Sequence, residues 1–235
     1  MNKQEKRLSL KIDIKKSFSE KQAWRDYVLP GLQAGTVGCL YSKCGANKLF
    51  FAVEALLEIV DGGSASMMDL GVKTTDRVVY LSLEDPESIT AERLHEMGAH
   101  LSKAARDIIS EGLDILPLAG MGFDIFDPKW FGELLNYCTG ARLVIFDTLS
   151  RVASVDYNDP AQARQVMRRM GDLAKQTGAA VLFLHHVSKV SIRAVQGTDQ
   201  PAVTGASAPV NDTRLDASLT IMSADDYVCS STTSP

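Results

Sequence analysis

The sequence predicts an α/β protein built on a mostly parallel sheet with helices on both faces. Short, continuously apolar segments alternate with amphipathic segments of helical length, which is typical of strands buried on both faces. The chain has 235 residues, 45% of them hydrophobic and 23% charged, as in ordinary soluble domains. A chain of this length buries enough surface to fold without a disulfide or a metal ion.

Apolar runs of four to eight residues mark the predicted strands, which are 36–41, 77–83, 113–116, 142–146, 179–184 and 215–222. The predicted helices are 48–60, 87–101, 103–111, 128–138 and 159–177. Pro128 suits the first turn of a helix, where its absent N–H costs nothing, and Asp159 is a typical N-cap residue. Residues 189–213 are rich in Gly, Thr, Ser and Pro and predict a long loop.

Composition divides the chain into a flexible N-terminal arm (1–23), a core (24–222) and a polar C-terminal tail (223–235). The first sixteen residues contain six basic and two acidic side chains. This run suggests either a solvated terminus or an arm that contacts phosphates. The net charge of −4 argues against a globally basic nucleic-acid binder but leaves a local basic patch open.

The expected compartment follows from what the sequence does not contain. It has no apolar run long enough to cross a bilayer and no secretory signal, so no membrane partner is expected. The four cysteines form no C-x-x-C pair. A reduced, cytoplasmic chain is the simplest interpretation.

Reactive side chains follow four of the predicted strands. They lie in the loop 42–48, at Glu84-Asp85, at Asp147-Thr148 and at His185-His186. Ligands of open α/β sheets bind outside the carboxyl ends of the strands, so these residues predict one site. Because neighbours on a strand alternate between faces, we expect one of the two histidines to point into the core and the other toward the site, and we do not expect a zinc pair.

The first of these loops has the layout of a phosphate-binding P-loop, with a strand, a short loop, a lysine and a helix. Among the fixed positions of G-x-x-x-x-G-K-[ST], only Lys48 is retained. Leu49 has no hydroxyl for Mg²⁺, and Asn47 adds a side chain where glycine lets the backbone approach phosphate. Phosphate binding is therefore expected in weakened form, with impaired metal-assisted hydrolysis. The candidate nucleotide-binding residues of the loop are Ser42, Cys44, Gly45, Ala46, Asn47, Lys48 and Leu49.

An ordered set of motifs resembles the hexameric RepA-type replicative helicases of mobilisable plasmids, which have a RecA-like P-loop ATPase core. The motifs are Asp26-Tyr-Val-Leu-Pro, Ala34-Gly-Thr-Val-Gly, Leu83-Glu-Asp-Pro, 93–102, Phe146-Asp-Thr-Leu-Ser-Arg, Phe183-Leu-His-His-Val-Ser-Lys and Val210-Asn-Asp-Thr-Arg. The resemblance covers about residues 24 to 222.

The resemblance implies a role for each matched residue in ATP hydrolysis. Lys48 holds the β- and γ-phosphates, Glu84 is the catalytic base, and Asp147 supports Mg²⁺ and water. His186, with His185 beside it, senses the γ-phosphate. Arg214 is an arginine finger that acts on the neighbouring subunit's site, which implies a ring.

Single-stranded DNA is the implied partner, threaded through a homo-oligomeric ring, normally a hexamer. Lys189 and Arg193 are the basic candidates for contacting it. An assembly with an intact relative is the other form of partnership.

Several departures from the family pattern leave two functions open. Besides Asn47 and Leu49, Thr204 and Ala206 stand where the family usually has an arginine and a serine. The chain is also expected to end before the family's last sheet strands, which leaves an exposed edge. One function is a helicase with impaired hydrolysis. The other is a non-hydrolysing relative that binds DNA or a partner subunit.

Overall fold

The fold is a six-stranded sheet with the strand order β5-β4-β6-β7-β3-β8, seen in a computed structural model that describes residues 12–21, 25–42, 48–61, 76–186 and 213–219. The helices are α1 (Ile14–Ser19), α2 (Lys48–Asp61), α3 (Glu87–His100), α4 (Lys103–Gly112), α5 (Pro128–Cys138) and α6 (Pro160–Thr177). The strands are β1 (Tyr27–Leu29), β2 (Leu32–Gln33), β3 (Val37–Ser42), β4 (Val78–Ser82), β5 (Leu113–Pro117), β6 (Leu143–Asp147), β7 (Ala180–His186) and β8 (Leu215–Leu219).

Every neighbouring pair in the six-stranded sheet is parallel, so the predicted fold class is confirmed. Two apolar clusters cover its faces. One joins the sheet to α5 and α6, and the other joins it to α2 and the N-terminal hairpin. The inner strands β4 and β6 are buried along their whole length. Parallel pairing brings the carboxyl ends of all six strands to one edge of the sheet.

Local capping signals set the ends of the long helices. The Asp127 carboxylate accepts the Lys129 N–H at 2.7 Å in front of α5, and the Asp159 carboxylate accepts the Ala161 N–H at 2.8 Å in front of α6. Gly178, with a φ of 80°, ends α6 in the left-handed conformation that glycine adopts without strain. The predicted helix at 128–138 matches α5, and the predicted helix at 159–177 begins one residue before α6.

The segment before the sheet contains the short exposed helix α1 and the antiparallel hairpin β1–β2. The Asp26 carboxylate accepts two N–H groups of the Arg142 guanidinium, one of them at 2.6 Å, which ties the hairpin to the start of β6. These hydrogen bonds hold the pKa of Asp26 below its usual value. The loop at 189–212, the end of the last predicted strand at 220–222 and the tail at 223–235 lie outside the described residues.

In the parts of the chain that the structure describes, every helix is too short or too polar to span a membrane.

Gly38 lies in β3, where a side chain would collide with its neighbours. A Cβ there would come within 2.9 Å of the Leu32 side chain and 3.2 Å of Leu215 Cβ. We expect Gly38→Ala to lower the free energy of unfolding by about 1–3 kcal/mol through overpacking. This corresponds to a fall in Tm of roughly 2–4 °C per kcal/mol.

Gly171→Ala is the matched control, because a Cβ at this position in α6 would meet nothing within 4 Å. It should raise stability by about 0.5–1 kcal/mol, since alanine is the better helix former. Thermal unfolding of both variants checks the pair, and equal Tm values would contradict the packing of β2 and β8 against β3.

Candidate nucleotide site at the carboxyl edge of the sheet

The predicted site residues on β4, β6, β7 and β3 come from four strands that are consecutive in the sheet. Glu84 follows β4 by two residues, Asp147 ends β6, and His186 ends β7. Ser42 ends β3 and pairs in register with His186, and Lys48 begins α2. The strand order therefore places these positions along one edge, although they are far apart in sequence.

Glu84 and His186 meet across the end of β6. Their closest atoms, Glu84 Oε2 and His186 Nε2, lie 3.2 Å apart, at hydrogen-bond distance. Because β4 and β7 flank β6, this pair bridges the strand end that carries Asp147. Both side chains keep partial exposure, so a ligand at the edge could reach them.

Asp147 is almost fully buried, with 7% of its surface exposed. The Tyr80 hydroxyl on the neighbouring strand donates a hydrogen bond to Asp147 Oδ2. Burial, and then the charge of Asp147, raise the pKa of Tyr80 far above its ordinary value of 10.0. Tyr80 therefore stays protonated and acts as a permanent donor to this carboxylate, a partner that sequence reasoning did not identify.

Backbone contacts fix the chain on both sides of Asp147. The Leu83 N–H donates to the Asp147 carbonyl at 2.8 Å, and the Thr148 hydroxyl donates to the Leu184 carbonyl at 2.7 Å. The peptide bond between Asp147 and Thr148 is cis. The ends of β4, β6 and β7 are thus tied to one another at the candidate site.

Leu49 faces the hydrophobic core. Its side chain is 5% exposed and belongs to the apolar cluster that contains Leu40, Ala52 and Leu184. The position that carries a Mg²⁺-ligating hydroxyl in an intact P-loop is thus occupied by a packed aliphatic side chain. The loop residues Cys44, Gly45, Ala46 and Asn47 lie outside the described residues, as do the side chains of Ser42 and Lys48.

The two histidines of β7 do not divide as expected. Both His185 and His186 are partly buried, so the expectation that one of them lies in the core is wrong. The side chain two residues before His186, Leu184, is fully buried. Both histidines lie at the carboxyl end of β7, where His185 pairs with Tyr41 and His186 with Ser42 of β3. Among the described residues, no group of three His, Cys, Asp or Glu side chains could hold a metal ion.

Arg214 lies at the amino end of β8, whereas Glu84 lies just beyond the carboxyl end of β4. It precedes β8, and its backbone N–H donates to the carbonyl of Val37, the first residue of β3, at 2.8 Å. Its side chain is exposed. Within one chain the structure therefore does not bring Arg214 to the other site residues. Lys189 and Arg193, the predicted DNA contacts, lie outside the described residues.

A cavity of about 740 Å³ that the sequence did not predict adjoins Glu84 on the side of β5. It lies between the loop that follows β5 (118–123) and the loop that follows β6 (150–156), and Arg151 and Phe123 contribute to its wall. Gly120 and Gly122 have φ values of 76° and 68°, which glycine adopts readily. The closely spaced glycines at 120 and 122 were the one sequence signal for this loop.

Comparison with known protein families finds one family model that matches most of this chain. A model described as an AAA domain matches residues 3–191, which is most of the chain. The chain belongs to this AAA domain family.

A solved structure, titled as a DnaB-like replicative helicase and its interactions with primase, has a similar fold. The two superpose with a TM-score of 0.56 at 16% sequence identity. The match covers 89% of this chain and 57% of the helicase chain, so this chain spans little more than half of that protein. At this identity the similarity shows the fold, and the predicted RecA-like α/β architecture is confirmed.

Removing the Tyr80 hydroxyl should destabilise the AAA domain measurably. In Tyr80→Phe the buried Asp147 carboxylate loses a donor, which costs about 1–3 kcal/mol of unfolding free energy. Tyr27→Phe is the matched control, because Tyr27 is exposed and the change should stay within about 0.5 kcal/mol. Urea unfolding at pH 7 measures both, and equal stability of the two variants would contradict the contact.

The hydrogen bond between Tyr80 and Asp147 also predicts that the free energy of unfolding depends on pH. The folded protein raises the pKa of Tyr80. The contribution of the protonated Tyr80 side chain to the free energy of unfolding is therefore fully present below pH 10 and is lost as the pH rises above it. The stability advantage of wild type over Tyr80→Phe should therefore shrink above pH 10. The ionisation of the other tyrosines affects both proteins equally, so it cancels in this comparison. A constant difference from pH 7 to 11 would contradict the raised pKa.

Proposed function

We propose that this chain is a RepA-like replicative helicase homologue that binds ATP at the carboxyl edge of its sheet and hydrolyses it slowly. The observation that carries the proposal is the contact of Glu84 with His186 across the end of the strand that bears Asp147. Three residues with proposed roles in ATP chemistry thus lie at or just beyond the carboxyl ends of three consecutive strands of the sheet.

The residues at this edge have the chemistry that a nucleotide requires. The first N–H groups of a helix attract anions, and α2 is 14 residues long, so Lys48 and the start of α2 would bind the phosphates together. The partly exposed Glu84 carboxylate would accept a proton from an attacking water. His186, at hydrogen-bond distance from Glu84, would link that carboxylate to the terminal phosphate.

The residues for Mg²⁺ are an incomplete set. Asp147 offers a carboxylate, but one of its oxygens already accepts the Tyr80 hydroxyl, and Leu49 replaces the usual hydroxyl ligand with a core side chain. Because Mg²⁺ demands oxygen ligands in near-ideal octahedral geometry, these residues do not fit a tight metal site. We therefore expect nucleotide binding that depends little on Mg²⁺, together with slow hydrolysis.

The proposed ring and its DNA partner rest on weaker support. Arg214 is exposed at the edge of the sheet away from Glu84, so it could act only on the nucleotide of a neighbouring subunit. Lys189 and Arg193, in the loop after β7, are the proposed contacts to single-stranded DNA. Assembly into a homo-hexamer, or with an intact relative, follows from the same resemblance.

The burial of Leu49 also favours a second candidate function. A non-hydrolysing relative would keep its fold and its surfaces for DNA or a partner helicase subunit. The two candidates differ in ATP turnover.

A titration with a fluorescent ATP analogue tests the binding step. We expect similar affinity in Mg²⁺ and in EDTA, and loss of binding in Lys48→Ala because the phosphate charge is no longer met.

DNA-stimulated turnover should stay below about 0.1 s⁻¹, at least tenfold under the usual 1–100 s⁻¹ of phosphoryl-transfer enzymes. Glu84→Gln should bind like wild type. Turnover in the ordinary range would contradict the impaired site, and failure to bind at all would contradict the proposal.

The double variant Asn47→Gly, Leu49→Ser should restore Mg²⁺-dependent binding, because glycine clears the phosphate approach and serine returns a hydroxyl. The structure adds a cost, since replacing buried Leu49 with a small polar residue should lower stability by about 2–5 kcal/mol. The titration is therefore run well below the Tm of the variant. The single Asn47→Gly variant is the control, and a double variant whose affinity is unchanged by Mg²⁺ would contradict the ligand account.

A further inference from the structure

The cavity between the loops 118–123 and 150–156 is lined by polar groups to which the proposed ATP chemistry gives no role, apart from Glu84. Its volume of about 740 Å³ lies in the range of roughly 300–1,000 Å³ that is usual for small-molecule sites. The wall combines apolar side chains with Arg151, Asp156 and the hydroxyls of Ser150 and Ser154. A few polar groups set in an apolar wall are what orient a small ligand.

Arg151 gives the cavity a site for an anion. Its side chain is exposed, and among the described residues its guanidinium has no hydrogen-bond or ion-pair partner. A guanidinium presents its donors in a planar fork that matches the oxygens of a phosphate or a carboxylate. Ser150 and Ser154 line the same cavity and offer further donors. Donors beyond the fork suit a phosphate, which has three terminal oxygens, better than a carboxylate, which has two.

Asp156 gives the cavity an acceptor. Its Oδ1 accepts the backbone N–H of Asn158 at 2.9 Å and the side-chain amide of Asn158 at 3.1 Å, which orients the carboxylate. Within the described part of the chain, Oδ2 accepts no hydrogen bond. An ionised carboxylate only accepts, so Oδ2 is matched by a ligand hydroxyl. The ligand should therefore carry hydroxyl groups as well as an anionic group.

Phe123 gives the cavity an aromatic wall. The ring is partly buried and is held edge-on against Trp130, with 5.6 Å between the ring centroids. In the same loop, a Cβ added at Gly120 or Gly122 would meet nothing within 4 Å, so the space in front of this backbone is open. A fixed aromatic ring beside open space suits the stacking of a planar ligand ring.

The charge of the wall favours a small ligand over a nucleic-acid strand. Among the described residues that line the cavity, Arg151 is the only cation, whereas Glu84 and Asp156 are acidic. Proteins that bind a strand through its phosphates use several lysines and arginines. A ligand with one phosphate needs only one guanidinium, and its hydroxyls can donate to the carboxylates.

We propose that this cavity binds a ribonucleoside monophosphate. Arg151, with Ser150 and Ser154, would bind the phosphate, Asp156 would accept a sugar hydroxyl, and the base would stack on Phe123. This site uses neither the loop after β3 nor the start of α2. It therefore goes beyond the proposed ATP site and does not depend on it.

The fluorescence of Trp130 provides the test, because its ring lies against Phe123. The chain has two tryptophans, so Trp24→Phe leaves Trp130 as the single reporter. Titration of this parent protein with adenosine 5′-monophosphate (AMP) in EDTA should change the fluorescence to saturation, with a dissociation constant below about 1 mM. Calorimetry on the same sample measures binding independently of fluorescence. Absence of binding by both methods would overturn the proposal.

Removing the phosphate and removing the guanidinium should have the same effect. Adenosine, which lacks the phosphate, should bind the parent at least tenfold more weakly than AMP, because hydrogen bonds between charged groups are strong. Arg151→Gln should bind AMP and adenosine equally weakly. Arg168→Gln, the same change on the exposed face of α6, is the matched control and should bind AMP like the parent. An Arg151→Gln variant that keeps the preference for AMP would overturn the phosphate assignment.

The sugar hydroxyls test Asp156 in the same way. The 2′,3′-dideoxy analogue of AMP should bind the parent more weakly than AMP, and Asp156→Ala should bind the two equally. Asp107→Ala, on exposed α4, is the control and should keep the difference. A difference that persists in Asp156→Ala would overturn this contact.

Two further titrations separate this site from the alternatives. Lys48→Ala should bind AMP like the parent, and loss of binding would assign AMP to the proposed ATP site and overturn the proposal. Oligothymidylate should not displace AMP, and displacement would show that the cavity takes a nucleic-acid strand and would overturn it as well. Failure of the chain to bind ATP would leave the AMP titration unchanged, so the failures of the two proposals are distinguishable.

Discussion

The buried hydrogen bond from Tyr80 to Asp147 is the contact on which the arrangement of the candidate site depends. It joins the neighbouring strands β4 and β6 near the carboxyl edge of the sheet, and its donor is kept protonated by burial. A buried carboxylate without a donor would be costly, so this bond makes an acid tolerable at the end of an otherwise apolar strand. With Asp147 fixed, Glu84 and His186 approach each other from the strands on either side.

This contact also has a consequence for the proposed binding of a metal and nucleotide. A carboxylate oxygen that accepts a tyrosine hydroxyl is less available to a metal, and Leu49, which stands where an intact P-loop has a hydroxyl ligand, is packed in the core. The apolar cluster that holds Leu49 belongs to the same core that supports β3 and β7. Stability of this AAA domain therefore comes from burial that does not need an intact P-loop. A fold of this kind can keep its edge residues while its metal chemistry changes.

Local sequence signals were sufficient for most of the fold. Pro128 indicated the start of α5 and Asp159 the start of α6, because caps act within a few residues of the chain. Apolar segments located the six strands of the sheet, although β5 and β8 each contain an aspartate. The strand order could not be predicted in this way, because it depends on contacts between residues that are distant in the sequence.

The details of the candidate site could be predicted only in part. Strand-end positions indicated that Glu84, Asp147 and His186 share an edge, because that follows from parallel pairing alone. Tyr80 and Asp147 are 67 positions apart in the sequence. In the sequence alone, Tyr80 cannot be told from any other aromatic residue of a strand. The burial of Leu49 depends on how α2 packs against the sheet, and the separation of Arg214 from Glu84 depends on the strand order, so neither was visible in the sequence.

Hydrogen–deuterium exchange with and without ATP tests the central claim most directly, because it reports where the nucleotide contacts the chain. If the carboxyl edge at β3, β6 and β7 is the nucleotide site, ATP should slow exchange in the loop after β3, at the start of α2 and at residues 183–186. Protection confined to 118–123 and 150–156 would place the ligand in the neighbouring cavity instead. That result would contradict the assignment of Glu84, Asp147 and His186 to one nucleotide site.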